Sequence, residues 1–246
     1  MNRFLIALQF LTIIPVKIRS PIEEKDLGKS LLYFPVVGML IGCMLALAVS
    51  IFSFLPGLVS SGSILAVSVV ITGGIHLDGF ADTCDGFYGS NPKERILEIM
   101  RDSRSGVMGV TGIVCLLLLK FSLIASLPQD ILWKAVIVMA VFARWVQVFA
   151  CYTSDYARKD GKARAFIEYA GKKELFIGAI FTLALFMFLV GVMGLVILIM
   201  SCLCAFLFIY YAKKKIGGMT GDTIGAVSEI AEVAVLFFAV ICFGGV

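Results

Sequence analysis

The chain has 246 residues, 60% of them hydrophobic and only 15% charged, with a net charge of +4 at pH 7. A soluble domain runs near 45–50% apolar and about 25% charged, so a soluble enzyme, a secreted disulfide scaffold and a disordered protein are all excluded. Seven scattered cysteines without a CxxC pair and the single histidine, His76, cannot assemble a zinc site.

A membrane-crossing helix needs about 20 apolar residues. In chain order the segment Arg3–Ile14 reads as an interfacial helix on the cytoplasmic leaflet, since Pro15-Val16-Lys17 stands where a cleavage site would be. Residues 1–30 are thus expected to form a cytoplasmic interfacial segment, and 31–246 one membrane-embedded catalytic domain. Spans are expected at Leu31–Leu55, Leu58–Leu77, Val107–Leu127, Ile131–Thr153, Leu175–Val190, Val192–Tyr211 and Thr223–Phe243. The run 175–211 is too long for one crossing and is divided near Gly191 and Gly194. Of the 21 Lys and Arg residues, 18 fall in alternate connections, including Arg3, Arg19, Arg101, Arg104, Arg158 and Lys213–Lys215. The positive-inside rule then places the N-terminus and these connections in the cytoplasm. The expected fold is an all-α, polytopic bundle of about seven transmembrane helices, integral to the cytoplasmic (inner) membrane, its charged face toward the cytoplasm.

The acids crowd on that face. Asp78, Asp82 and Asp85, spaced four and three residues apart, fall within a helical stripe roughly 60° wide. Two such charges 4 Å apart repel by about 4 kcal/mol at an effective dielectric near 20. Either their pKa values rise, or the stripe faces water as a solvated acidic surface, or it holds a cation, and oxygen ligands without His or Cys suit Mg²⁺. Next, Asn91-Pro92-Lys93-Glu94 carries the signals of a capped helix start, with Glu94 in the capping role. Glu98 and Asp102 follow on one face and are free to complete a cation site. Arg101 and Arg104 suit bidentate phosphate binding, ordinary i,i+4 surface pairing being the alternative. His76 beside Asp78 reads as a general base or as a helix-end hydrogen-bonding group.

Before the last span, Gly217-Gly218-Met219-Thr220-Gly221-Asp222-Thr223 reads either as an anion site at a helix start or as a simple tight loop. Glu229 and Glu232 lie inside that span, where charges are costly and normally have a task, and Arg144 in the fourth span is their candidate partner or a phosphate ligand. Walker, GxSxG and nucleic-acid signatures are absent. Cytosolic carboxylates, arginines and a glycine-rich helix start together suit a Mg²⁺-dependent transfer of a phosphate-bearing group.

The stretch Thr72-Gly-Gly-Ile-His-Leu-Asp-Gly-Phe-Ala-Asp-Thr-Cys-Asp-Gly86, continuing to Glu98-Ile-Met-Arg-Asp-Ser-Arg-Ser-Gly106, closely resembles the adenosylcobinamide-GDP ribazoletransferase (cobalamin synthase) family. Gly217–Gly225 with Glu229 and Glu232 matches the family's C-terminal signature. Phe34-Pro35 with Gly38, Arg144, and Tyr156-Ala-Arg158 with Gly161 are fainter echoes. The resemblance implies that adenosylcobinamide-GDP and α-ribazole, or its 5′-phosphate, are joined with release of GMP, that Mg²⁺ takes part, and that other late enzymes of the route are candidate partners. It leaves the oligomeric state open. On it we expect Asp78, Asp82, Asp85 and Asp102 to bind metal and Glu98 or Asp82 to act as base. Arg101, Arg104, Gly217, Gly218, Gly221, Asp222 and Thr223 are expected to hold phosphates, Arg144 to bind substrate, and Glu229 and Glu232 to orient the cluster or the corrinoid. A CDP-alcohol phosphotransferase also uses spaced aspartates on membrane helices, but its usual signature puts an Ala-Arg pair after the first Asp-Gly, whereas here Ala81 precedes Asp82. A transporter would explain Glu229, Glu232 and Arg144 but leave the aspartate stripe idle.

Overall fold

The computed structural model describes residues 2–18, 21–102 and 104–244. Arg19 of the basic count and Ser103 of the quoted motif lie outside the described residues. Within them the elements are α1 (Asn2–Leu11), α2 (Glu24–Ser30), α3 (Phe34–Ile51), α4 (Gly57–Thr72), α5 (Ile75–Phe87), α6 (Lys93–Ile99), α7 (Val107–Ser126), α8 (Gln129–Thr153), α9 (Arg164–Glu168), α10 (Lys172–Val190), α11 (Val192–Ile216) and α12 (Gly221–Phe243). The fold is all-α, as expected from the long apolar runs.

Six helices are long and apolar enough to cross a membrane: α3 with its flanking turns, α7, α8, α10, α11 and α12. The seventh expected span, Leu58–Leu77, is kept as α4 and shortened at its inner end: paired with the bent α5 it brings the number of candidate spans to as many as seven. Its helix stops at Thr72, Gly73 and Gly74 both take positive φ (62° and 69°), and the chain turns 91° into α5. Side chains with a Cβ rarely adopt that conformation, so the glycine pair makes the corner. The 16 residues of α4 rise about 24 Å, and α5 runs across the end of the bundle, outside the membrane-spanning helices. The division of 175–211 into two helices holds: Gly191 (φ 70°) makes the break, and Gly194 lies against the Phe186 carbonyl as the chain doubles back.

Helix α8 is buried on all sides and forms the axis of the bundle, whereas α10 and α11 turn apolar side chains such as Phe188 (85% exposed) and Val192 (72%) outward. An apolar exterior is what lipid requires of a helix surface. Helix α3 packs antiparallel on α8 through small residues. A Cβ on Gly38 would lie 2.6 Å from the Ala140 carbonyl oxygen, and one on Gly42 2.6 Å from Ile137 Cα. Close backbone approach of this kind is how helices gain van der Waals contact in lipid. Helix α1 docks on the same core, with Ala7, Leu8 and Leu11 buried and Phe10 stacked on Phe34.

Replacing Gly38 or Gly42 by Leu should lower stability by about 1–3 kcal/mol, the usual effect of overpacking. Gly62 of α4 meets only one side-chain atom, at 3.7 Å, and Gly62→Leu should leave thermal unfolding in detergent nearly unchanged.

Candidate active site at the junction of α5 and α12

The site is built by a backbone contact. A Cβ on Gly79 would stand 2.7 Å from the carbonyl oxygen of Asp222, so α5 rests directly on the first turn of α12. Asp78 and Asp82 are thereby brought beside Asp222. Thr220 caps α12: its Oγ1 accepts from the Thr223 N–H (3.2 Å), and the Thr223 Oγ1 accepts from the Thr220 N–H (2.8 Å). The preceding turn is pinned to the loop after α8, where Met219 N–H donates to the Asp155 carbonyl and Ala157 N–H to the Met219 carbonyl, both at 2.9 Å. Gly217 and Gly218 thus belong to a turn fastened to that loop. Gly221 and Asp222 face the site.

Arg158 supplies the positive charge here. It lies 2.8 Å from the Asp222 carboxylate and donates from Nη2 to the Met100 carbonyl (3.3 Å). Asp78 and Asp82 form no ion pair and no side-chain hydrogen bond among the described residues. Partial burial of Asp82, aided by the negative charges of Asp222 and Asp78, pushes its carboxyl up to about 7, while Arg158 pulls the other way. The acids outnumber the local cations, and a bound cation would relieve that excess. Among the described residues no three His, Cys, Asp or Glu side chains converge as a ready cage. Mg²⁺ does not need one, because it commonly takes one or two carboxylates and completes its shell with water and phosphate oxygens. This donor set fits that ion.

Asp78, Asp222 and Arg158 rim a cavity of about 280 Å³ that reaches inward between α1, α3, α5, α8, α9 and α12, with Phe10, Phe34 and Phe166 on its apolar side and Gln147 inside. His76 also lines it, buried, its ring nitrogens 3.4 Å from Gln147 Nε2.

The structure does not bring the other expected residues here. Asp85 accepts hydrogen bonds from the N–H groups of Gly106 and Gly109 (both 2.7 Å), so its two oxygens cap the start of α7. Asp102 is taken by Arg104, which holds it with two guanidinium hydrogen bonds (3.0 and 2.7 Å) and pulls its carboxyl down to about 2. Glu98 pairs with Arg95 on the exposed face of α6. Glu98, Asp102 and Arg104 line a separate depression between α6 and the start of α7, while Arg101 donates to the Asp160 carbonyl (3.2 Å). The expected four-aspartate metal site is therefore divided: Asp78 and Asp82 remain, whereas Asp85 and Asp102 have other partners. The expected cap of α6 is corrected too. No side chain caps it, and Asn91 Nδ2 donates to the Tyr88 carbonyl instead.

Arg144, Glu229 and Glu232, expected to bind substrate, form a closed ion cluster with a fourth member, Lys120. Lys120 Nζ donates to Glu229 and to Glu232 (2.6 Å), and Arg144 Nη1 donates to the other Glu232 oxygen. All four are at most 6% exposed, and the adjoining space is only about 10 Å³. Two cations balance two anions, which makes these charges tolerable inside a bundle. Lys120 carried no signal beyond its place in an apolar run. Arg158 was visible in the Tyr156-Ala-Arg158 echo, and Gln147 in nothing but its polarity among apolar neighbours.

An all-α membrane bundle that gathers unpaired carboxylates and an arginine around a cavity at one end has the construction of an integral-membrane group-transfer enzyme. The family model described as cobalamin-5-phosphate synthase matches residues 3–240, and the chain belongs to that family. Its relatives include the adenosylcobinamide-GDP ribazoletransferases of Alkaliphilus metalliredigens (41% identical, covering 99% of this chain and 97% of that one) and Clostridium acetobutylicum (38%, covering 99% and 98%). That of Geotalea daltonii is 37% identical and covers 98% of each chain. No solved structure matches.

Removing one member of the ion cluster strands buried charge. Glu232→Gln should destabilise the protein by about 3–5 kcal/mol. The double variant Lys120→Met/Glu229→Gln keeps the Arg144–Glu232 pair and should lose much less, which thermal unfolding of the reconstituted variants will measure.

Proposed function

We propose that this protein catalyses the final assembly step of cobalamin biosynthesis, joining adenosylcobinamide-GDP to α-ribazole or its 5′-phosphate and releasing GMP. The observation that carries the reading is unpaired Asp78 at a cavity mouth with Arg158, and unpaired Asp82 one helical turn further along α5, in a chain that matches its family over residues 3–240. The acceptor hydroxyl oxygen forms a bond to the cobinamide-side phosphorus as the bond from that phosphorus to the bridging oxygen breaks, and GMP departs with that oxygen.

Asp82 takes the proton of the attacking hydroxyl. A half-buried carboxyl raised toward neutrality by its neighbours has the basicity this step needs, and such a base contributes typically 10²–10⁴-fold. Arg158, steered by Asp222, turns its guanidinium to the phosphates, and its buried Nε has no partner within the protein. Asp78 and Asp222 would hold Mg²⁺, whose chemistry at this place is to neutralise the pyrophosphate charge. Glu98 has no part in the reaction. The excess of Lys and Arg in alternate connections supports a site on the cytoplasmic face of the membrane.

Purified protein in lipid, given adenosylcobinamide-GDP and α-ribazole, should release GMP with Mg²⁺ and not with EDTA. Asp82→Asn should lower kcat by about 10²–10⁴-fold, Asp78→Asn should raise the Mg²⁺ requirement, and Glu98→Gln should turn over at the wild-type rate. Because Asp82 works ionised and titrates near 7, kcat/KM should fall as pH drops through that value. Raising Mg²⁺ should move this limb to lower pH, since a nearby cation favours the carboxylate. GMP formation independent of metal would keep the reaction and remove the assignment of Asp78 and Asp222.

A further inference from the structure

The cavity behind the carboxylate rim has its own chemistry. Its volume, about 280 Å³, lies at the lower edge of pockets that enclose small organic ligands. One wall is aromatic, made by three side chains from three separate helices. Phe10 of α1 lies 4.7 Å, centroid to centroid, from Phe166 of α9 and 6.0 Å from Phe34 of α3, and Phe34 lies 5.8 Å from Phe166.

Gln147 projects from α8 into the same space. It is 1% exposed, and its Oε1 has no hydrogen-bond partner. A buried acceptor left unsatisfied is costly, and neither the apolar wall nor the neighbouring His76, which faces the amide nitrogen, relieves it. The cavity thus offers a flat apolar wall, one buried acceptor and a charged rim. An occupant that matches all three has an aromatic ring system, a hydroxyl donor held inside, and a second hydroxyl at the mouth. That is a nucleoside of an apolar base.

The geometry points to this cavity as the seat of the acceptor nucleoside, its base against Phe10, Phe34 and Phe166 and a ribose hydroxyl donating to Gln147 Oε1. This inference rests on the ribazole-transfer reading above and adds to it which substrate enters the bundle. The donor, a corrin macrocycle carrying a nucleoside diphosphate, is several times larger than the acceptor and stays outside, with only its pyrophosphate brought to the rim. Gln147 is then the residue that distinguishes the nucleoside from its free base, because a site that hydrogen-bonds a hydroxyl discriminates against an analogue lacking it.

The test is equilibrium binding of α-ribazole and, separately, of 5,6-dimethylbenzimidazole to the full chain in lipid nanodiscs without donor. Two variants accompany the wild type: Gln147→Leu, which removes the acceptor at similar size, and Ala163→Phe, which fills the cavity from its rim. Gln147→Leu should weaken α-ribazole about tenfold or more and leave the free base within twofold. Ala163→Phe should abolish binding of both, and each variant should bind adenosylcobinamide-GDP with wild-type affinity, which also shows that it is folded. Unchanged α-ribazole binding in both variants, beside normal wild-type cobalamin formation, would overturn the cavity assignment and leave the reaction standing. A wild-type protein that neither binds α-ribazole nor converts it would overturn both.

Discussion

The site depends on the contact between the backbones of α5 and α12. With Gly79 pressed on the Asp222 carbonyl there is no side chain between the two helices, and the acids of one are delivered to the first turn of the other. That contact requires α5 to leave the direction of α4, which the Gly73–Gly74 corner permits. It also brings Asp78 and Asp82 near the N-terminus of a 23-residue helix, whose end carries roughly half a positive charge. The remaining excess of negative charge is left for a cation and for Arg158.

A second constraint keeps the first in register. Helices α7, α8 and α12 are clamped by Lys120, Arg144, Glu229 and Glu232 within the bundle. Each charge at the bilayer centre would cost about 2.5–3.5 kcal/mol alone, and these four charges are compensated only when the three helices meet in one alignment. A rotation of α12 that carried Glu232 away from Arg144 would also carry Asp222 away from Gly79. Asp85 performs the same service at the far end of α5, by holding the first amides of α7. Asp78 and Asp82 are therefore carried on a helix tethered to α12 and to α7 by groups other than their own carboxylates.

Much of this was legible in the sequence because lipid imposes a simple rule. Apolar runs of sufficient length marked α3, α7, α8, α10, α11 and α12, and the acidic stripe marked the helix that carries the site. Helical spacing also put Asp78, Asp82 and Asp85 on one face, but spacing cannot tell which neighbour a face meets. The partners of Asp85 are amides 21 and 24 residues further on, set by the packing of α5 on α7. Gly73-Gly74 read as the flank of an apolar run, since hydropathy counts side chains and takes no account of φ. Lys120 was hidden for the same reason, a single charge in an apolar segment whose partners lie more than 100 residues away.

Counter-charge sorts the acids more sharply than position does. Glu229 and Glu232 are matched by Lys120 and Arg144, Asp102 by Arg104, Glu98 by Arg95 and Asp85 by two amides. A matched carboxylate has already spent its field on a group of the protein and holds a helix, a loop or an arginine in place. Asp78 and Asp82 are different, for neither has an ion pair or a side-chain hydrogen bond of its own among the described residues, and the nearby Arg158 is already shared with Asp222. A pair of carboxylates held one helical turn apart is poorly placed for folding, since each raises the cost of ionising the other. Its cost is recovered on binding, when a cation or the proton of an attacking hydroxyl supplies the missing positive charge. The same logic applies to Gln147 inside the cavity, whose unpaired oxygen is a liability to the empty protein and a hydrogen-bond acceptor for an occupant.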